Sequence, residues 1–186
     1  NKGEFISAEA GAQVLDLASR EAFQFSPVDK LGNYQLNESY LDKHIDAVLQ
    51  YPLVNVPAIK AKKFRVVVDA INSSGAFAVP RLLKALGVEE VIVLHEEVNG
   101  RFAHNPEPLP ENLTALSNEV KKTGASLGIA VDPDVDRLCF VCEDGSMFGE
   151  EFTLVAVADY VLSLRKGNTV SNMSSTKALK EITVKQ

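Results

Sequence analysis

Three short stretches set the architecture: Arg65-Val66-Val67-Val68-Asp69, Asn72-Ser73-Ser74-Gly75 and Val91-Ile92-Val93-Leu94. The first is β-branched and apolar in continuous run, the pattern of a strand buried on both faces rather than one half in water. The second is small and polar, as turns are. After it Phe77, Leu82, Leu83 and Leu86 recur at helical spacing, and Gly87 ends the helix. The third stretch is again an apolar strand. Strand, helix and strand in this order imply a parallel pair with the helix packed across it.

The alternation continues downstream. Pro110 opens a helix in the favoured first position and Gly124 closes it. Leu127–Val131 reads as a third strand and Leu138–Val141 as a fourth, followed by the turn signal Asp144-Gly145. A long helix is expected from about Glu150 to Leu164, then a strand at Thr169-Val170-Ser171 and a helix from Thr176 to Ile182. Upstream, Ser7 can cap a helix running to about Ala22, residues 23–36 are loop-like, and Asn37 can cap a helix carrying Leu41, Ile45, Val48 and Leu49. The expected fold class is α/β, with a mainly parallel sheet and helices on both faces. In such sheets ligands gather at the carboxyl ends of the strands.

Bulk properties narrow the class. The chain has 186 residues, enough to bury roughly 70% of its unfolded surface without staples. Its net charge of −6 argues against nucleic acid as a main partner, which needs a basic face. No apolar run approaches the length of a membrane span, so no membrane partner is expected. Cys139 and Cys142 have redox-pair spacing, but both fall in or beside an apolar strand and no further Cys or His completes a zinc set. Buried, reduced thiols and a cytoplasmic location are expected. The chain begins Asn1-Lys2-Gly3-Glu4 without Met and stops directly after a helix-like stretch, so a piece of a longer or designed chain is expected.

The sharpest chemical feature is Val131-Asp132-Pro133-Asp134-Val135-Asp136-Arg137. It follows an apolar strand, and alternate residues of an extended segment point to one side. Three carboxylates that close repel unless a cation lies among them. An oxygen-only set favours Mg²⁺, Mn²⁺ or Ca²⁺. Arg137 adds a cationic fork suited to a phosphate oxygen or a carboxylate, and metal and arginine together suit phosphoryl transfer. Other readings stand beside this one. The segment can be an acidic surface turn with a local ion pair. An EF-hand loop also opens with alternating aspartates, but its sixth position needs Gly and here is Arg137. An aspartyl-nucleophile phosphatase needs further residues downstream, where little chain remains.

Taken in order, the motifs resemble the α-D-phosphohexomutase family, which includes phosphoglucomutase, phosphomannomutase and phosphoglucosamine mutase. Asp132 to Arg137 resembles its D-x-D-x-D-R metal loop. Val66-Val67-Val68-Asp69 with Asn72 and Gly75 resembles the opening of its second domain. Phe102 with Asn105-Pro106-Glu107-Pro108 resembles its F-x-x-x-P-E-P stretch. Glu143-Asp144-Gly145 then Gly149-Glu150 looks like the link to its third domain. The resemblance covers most of residues 38–180. It implies a mutase (an isomerase, or intramolecular phosphotransferase) that moves phosphate between C1 and C6 of a hexose phosphate through a phosphoserine and a bisphosphate intermediate. It implies Mg²⁺ held by Asp132, Asp134 and Asp136, and Arg137 holding the phosphoserine region. It divides the chain into the tail of a first domain (1–36), a complete second domain (37–147) and the start of a third (148–186).

The departures from the family are large. Its Thr-Ala-Ser-His-Asn-Pro serine loop is absent, as are the third-domain sugar loop and the fourth-domain phosphate loop. The resemblance therefore implies a chain inactive alone. Asn172-Met173-Ser174-Ser175 resembles a third-domain turn near the sugar and leans toward the phosphoglucosamine branch; capping of the next helix by Ser174 or Ser175 is the competing account. The Asn72–Gly75 turn can bind an anion or serve only as a strand-to-helix link. His95 and His104 show no carboxylate partner in the sequence, and surface or packing roles are expected. The rival to the enzyme is a non-catalytic acidic α/β module that binds divalent cations.

Overall fold

A computed structural model describes residues 3–186. They form two compact units, one ending at Glu38 and one spanning Ser39–Gln186. The first unit holds helix α1 (Ala8–Ser19), whose first turn is capped by Ser7 Oγ accepting the Ala10 N–H at 3.2 Å. No residue of α1 is buried.

The second unit is built on a four-stranded sheet. Its strands are β1 (Arg65–Asp69), β2 (Glu90–Leu94), β3 (Leu127–Val131) and β4 (Leu138–Val141), in the spatial order β2-β1-β3-β4. β1 pairs in parallel with both β2 and β3, while β4 runs antiparallel to β3 at the edge. Two helices make the crossovers: α4 (Gly75–Ala85) from β1 to β2 and α5 (Thr114–Thr123) from β2 to β3. The expected α/β class with a mainly parallel sheet is what the chain adopts.

Side-chain alternation along the strands feeds two cores. Val67, Leu116, Val120, Cys139 and Val141 share one face with α5, while Val66, Val68, Leu83, Ile129 and Val131 share the other with α4. Each fully buried Val or Leu contributes about 1.5–3 kcal/mol. Gly128 permits close approach on the α5 side, where an added Cβ would sit 2.9 Å from Val120 Cγ2. Gly124 ends α5 at φ 62°, in the left-handed region that glycine enters without penalty.

Several expected boundaries move. Helix α2 (Tyr40–Leu49) starts after Ser39, beyond Asn37. A helix not foreseen, α3 (Val56–Ala61), follows Asn55, whose Oδ1 accepts the Ala58 N–H at 3.1 Å, and Pro57 stands in its first turn. Pro110 opens a single 3₁₀ turn (Pro110–Asn112), and the α-helix begins only at Thr114. Helix α6 (Glu150–Leu164) lies where expected. Thr169-Val170-Ser171 is not a strand: among the described residues no neighbouring strand supplies a ladder, and Val170 is exposed. Helix α7 (Ala178–Lys185) starts past both serines, and Thr176 Oγ1 accepts the Ala178 N–H at 3.3 Å. The serine hydroxyls instead donate to Asn172 Oδ1, so neither caps the helix. Cys139 is buried and Cys142 half-buried, both are free, and burial pushes the Cys139 thiol up from its ordinary range.

Candidate functional site

The parallel pairing of β1 with β2 and β3 brings their carboxyl ends to one edge. Because the chain leaves β1 for β2 on one side and returns to β3 on the other, the strand order reverses between β1 and β3, the place where open α/β sheets take ligands. Two loops meet there. One is the β1–α4 turn, Ala70–Ser74; the other, residues 132–137, joins β3 to β4.

The two loops are tied together. Ser73 Oγ and Ser74 Oγ each donate to the Pro133 carbonyl at 2.7 Å. Asp132 closes its own loop: its Oδ1 accepts the N–H of Asp136 at 3.0 Å and of Arg137 at 3.2 Å. Val135 completes the curl at φ 63°, an uncommon conformation for a β-branched residue and a local store of strain. Gly75 allows the helix to start against this loop's base, since a Cβ there would meet Val131 Cγ2 at 2.6 Å.

The curl brings together the three expected carboxylates. One oxygen from each of Asp132, Asp134 and Asp136 lies within 4.8 Å of the others; Asp132 is buried and the other two are exposed. Burial works against the charge on Asp132, but the N–H groups of Arg137 and Asp136 and hydrogen bonds with Asp136 and Asp134 outweigh it. Its carboxyl titrates below the ordinary 3.8. Asp136 goes the other way: its hydrogen bond to Asp132, then the charges of Asp134 and Asp132, hold it above 3.8. Asp136 therefore holds its proton to higher pH than Asp132 does, at the place a cation would serve. The donor set is oxygen only, which fits a hard cation such as Mg²⁺.

Arg137 lies beside the loop and pairs with Glu107 of the Phe102–Pro108 stretch. That pair, chiefly through the hydrogen bond, raises the guanidinium above its ordinary value, so the charge is permanent. Asn72 fastens the same stretch, with Oδ1 accepting the Ala103 N–H and Nδ2 donating to the Glu97 carbonyl, both at 3.1 Å. The Asn72 turn is thus occupied as a link between loops.

One constellation escaped the sequence reading. His95 Nδ1 lies 2.8 Å from Asp69 Oδ1, and His104 Nε2 lies 2.9 Å from Asp69 Oδ2. The expectation that neither histidine has a carboxylate partner is corrected. Asp69 pairs with Leu94 across the β1–β2 ladder, so His95 stands one residue beyond the neighbouring strand end. A carboxylate closing one strand and a histidine following the next were a usable signal. His104 arrives across a loop and gave none.

With this geometry in view, comparison with known proteins defines the class. Residues 42–145 match the family model for phosphoglucomutase/phosphomannomutase, alpha/beta/alpha domain II. The chain belongs to the phosphoglucomutase/phosphomannomutase family. A phosphoglucomutase/phosphomannomutase of Thermococcus kodakarensis is 34% identical over 95% of this chain and 38% of its own length. A probable phosphoglucosamine mutase of Methanopyrus kandleri is 34% identical over 83% of this chain and 33% of its own. The solved structure of a phosphoglucomutase/phosphomannomutase family protein from Burkholderia thailandensis superimposes with a TM-score of 0.73 at 27% identity, covering 95% of this chain and 38% of that one. The chain thus spans between a third and two fifths of the length of these curated relatives. Among the described residues no helix is long and apolar enough to cross a membrane.

Proposed function

We propose that this chain is the central, metal-carrying part of a phosphohexose mutase, which moves phosphate between C1 and C6 of a hexose phosphate through a phosphoserine and a bisphosphate intermediate. The observation that carries the reading is the convergence of Asp132, Asp134 and Asp136 on a loop pinned to the β1–α4 turn, with Arg137 alongside. The division into a first-domain tail (1–36), a second domain (37–147) and the start of a third (148–186), and a cytoplasmic location, belong to the same proposal.

In this reading the three aspartates hold Mg²⁺, which when bound withdraws charge from a phosphoryl oxygen. Asp132 is oriented by its two N–H donors before any ligand arrives, so little reorganisation is needed. Asp136 would complete the carboxylate set in its ionised form. Arg137, held by Glu107, presents a fixed fork to the phosphoserine oxygens. The serine nucleophile and the main sugar contacts lie outside this sequence, so the chain alone is expected to be inactive.

The test is phosphorus NMR of the full-length protein with Mg²⁺, a hexose 1-phosphate and a bisphosphate primer. Conversion to the 6-phosphate is expected, and Asp134→Asn should slow it on the order of a hundredfold or more. Metal binding indifferent to any phosphosugar, without conversion, would establish the cation-binding module instead.

A further inference from the structure

We propose that Asp69, His95 and His104 form a second metal site, for a divalent cation of the zinc class, distinct from the three-carboxylate loop. One ligand atom from each lies within 4.8 Å of the others. The Asp69 carboxylate is almost wholly buried, at 1% exposure, while both imidazoles keep one edge toward solvent, at 24% and 19%. Two nitrogens and one carboxylate with an open fourth position are the donor set of a tetrahedral zinc-class ion. The hard-ion loop at Asp132 offers no nitrogen at all.

The second observation concerns His104. Its Nδ1 lies 2.7 Å from the Asn105 carbonyl, which only accepts, so that nitrogen carries the proton. In the neutral ring Nε2 is then a bare lone pair, aimed at Asp69 Oδ2 across 2.9 Å. A neutral ring there would face the carboxylate acceptor to acceptor, so the contact needs either a second ring proton or a cation between the two atoms. An imidazole whose far nitrogen donates to a backbone carbonyl is also the arrangement that orients metal-bound histidines. Around a tetrahedral ion the donor atoms stand about 3.3 Å apart, so the rings need to open by about half an ångström. Asp69 itself is held in place, with Oδ1 accepting the Ile71 N–H at 3.1 Å.

The site joins the end of β1, the residue after β2 and the loop that carries Glu107, the partner of Arg137. An ion here clamps that loop to the sheet.

The test uses Co²⁺ as a spectroscopic probe, with Zn²⁺ as competitor, on the 186-residue chain. The variant Asp132→Asn/Asp134→Asn/Asp136→Asn removes the other site. This variant is expected to bind one Co²⁺ with the strong visible band of a four-coordinate ion, and Zn²⁺ should displace it. His95→Gln and His104→Gln should each weaken Co²⁺ binding at least about tenfold. No band in the triple variant, or a band that both histidine variants leave intact, overturns the proposal. So does a thiolate charge-transfer band, which would put the ion on a cysteine. Ring-nitrogen NMR of the unmodified chain at saturating Zn²⁺ stands independently of any variant's folding. A metal shift at His104 is expected there; two protons on that ring would show that a proton fills the gap, and would overturn the site.

Discussion

Val135 tests how much of the metal loop is strained. At φ 63° a side chain with Cβ is penalised, and a branched one most. Elsewhere Ala exceeds Gly in stability by about 0.5–1 kcal/mol. Here Val135→Gly should instead be more stable than Val135→Ala by about 1 kcal/mol, as read by urea unfolding. Both lose the apolar contact of Val135 with the α4-side core, so the pair isolates the backbone term. The carboxylates make a separate prediction. Asp136 is held above its ordinary 3.8 and Mg²⁺ needs it ionised. Mg²⁺ affinity should therefore rise with pH as Asp136 ionises above its ordinary 3.8 and then level off, with proton release on binding confined to the range in which Asp136 titrates. For folding without metal the two aspartates act oppositely. The contribution of Asp132, whose titration is lowered, is lost as pH falls below its ordinary range, whereas that of Asp136 is lost as pH rises through its raised value. Calorimetry against pH reads the binding trend, and an affinity that does not rise as Asp136 ionises would contradict it.

At the scale of elements, the junction of α4 with β3 is the point on which the site hangs. Gly75 has no room for a methyl group because Val131 Cγ2 would lie 2.6 Å away. Gly75→Ala should cost about 1–3 kcal/mol by overpacking. Val131→Ala costs stability by itself but removes the obstruction, so the double variant should be more stable than the sum of the two singles predicts. An additive double-mutant cycle would mean that the helix simply shifts. Ser73 and Ser74 share the Pro133 carbonyl, so either one alone should hold the loop and only their joint replacement by Ala should weaken Mg²⁺ binding.

For the whole molecule, the sheet couples its two cores, because Val66 and Val68 face one while Val67, between them, faces the other. Leu116→Ala on the α5 side should cost about 2–5 kcal/mol. If the second unit unfolds as one body, hydrogen exchange should report the same loss in α4 on the opposite face. Protection in α4 that stays unchanged would show two separately melting layers. Activity belongs to this scale as well. The 186-residue chain should bind Mg²⁺ yet leave hexose 1-phosphate unconverted, and turnover by the chain alone would sink the proposal that its partner segments are required.

The sequence alone determined what depends on near neighbours. Continuous valine runs dictated buried parallel strands, Gly124 a helix end, and alternating aspartates after an apolar strand a convergent acidic loop. These are local consequences of chain geometry and apolar period. Residues 169–171 show the limit, because a strand also needs a neighbour to complete its hydrogen bonds. Only the tertiary structure decided who meets whom. The hydroxyls of Ser73 and Ser74 reach a carbonyl some sixty positions away, Arg137 finds Glu107, and Asp69 collects two histidines from the two parts of the long connection after β2. Such pairings follow from strand order and register, since parallel pairing carries distant chain ends to one edge of the sheet, and no local pattern in the sequence encodes that edge.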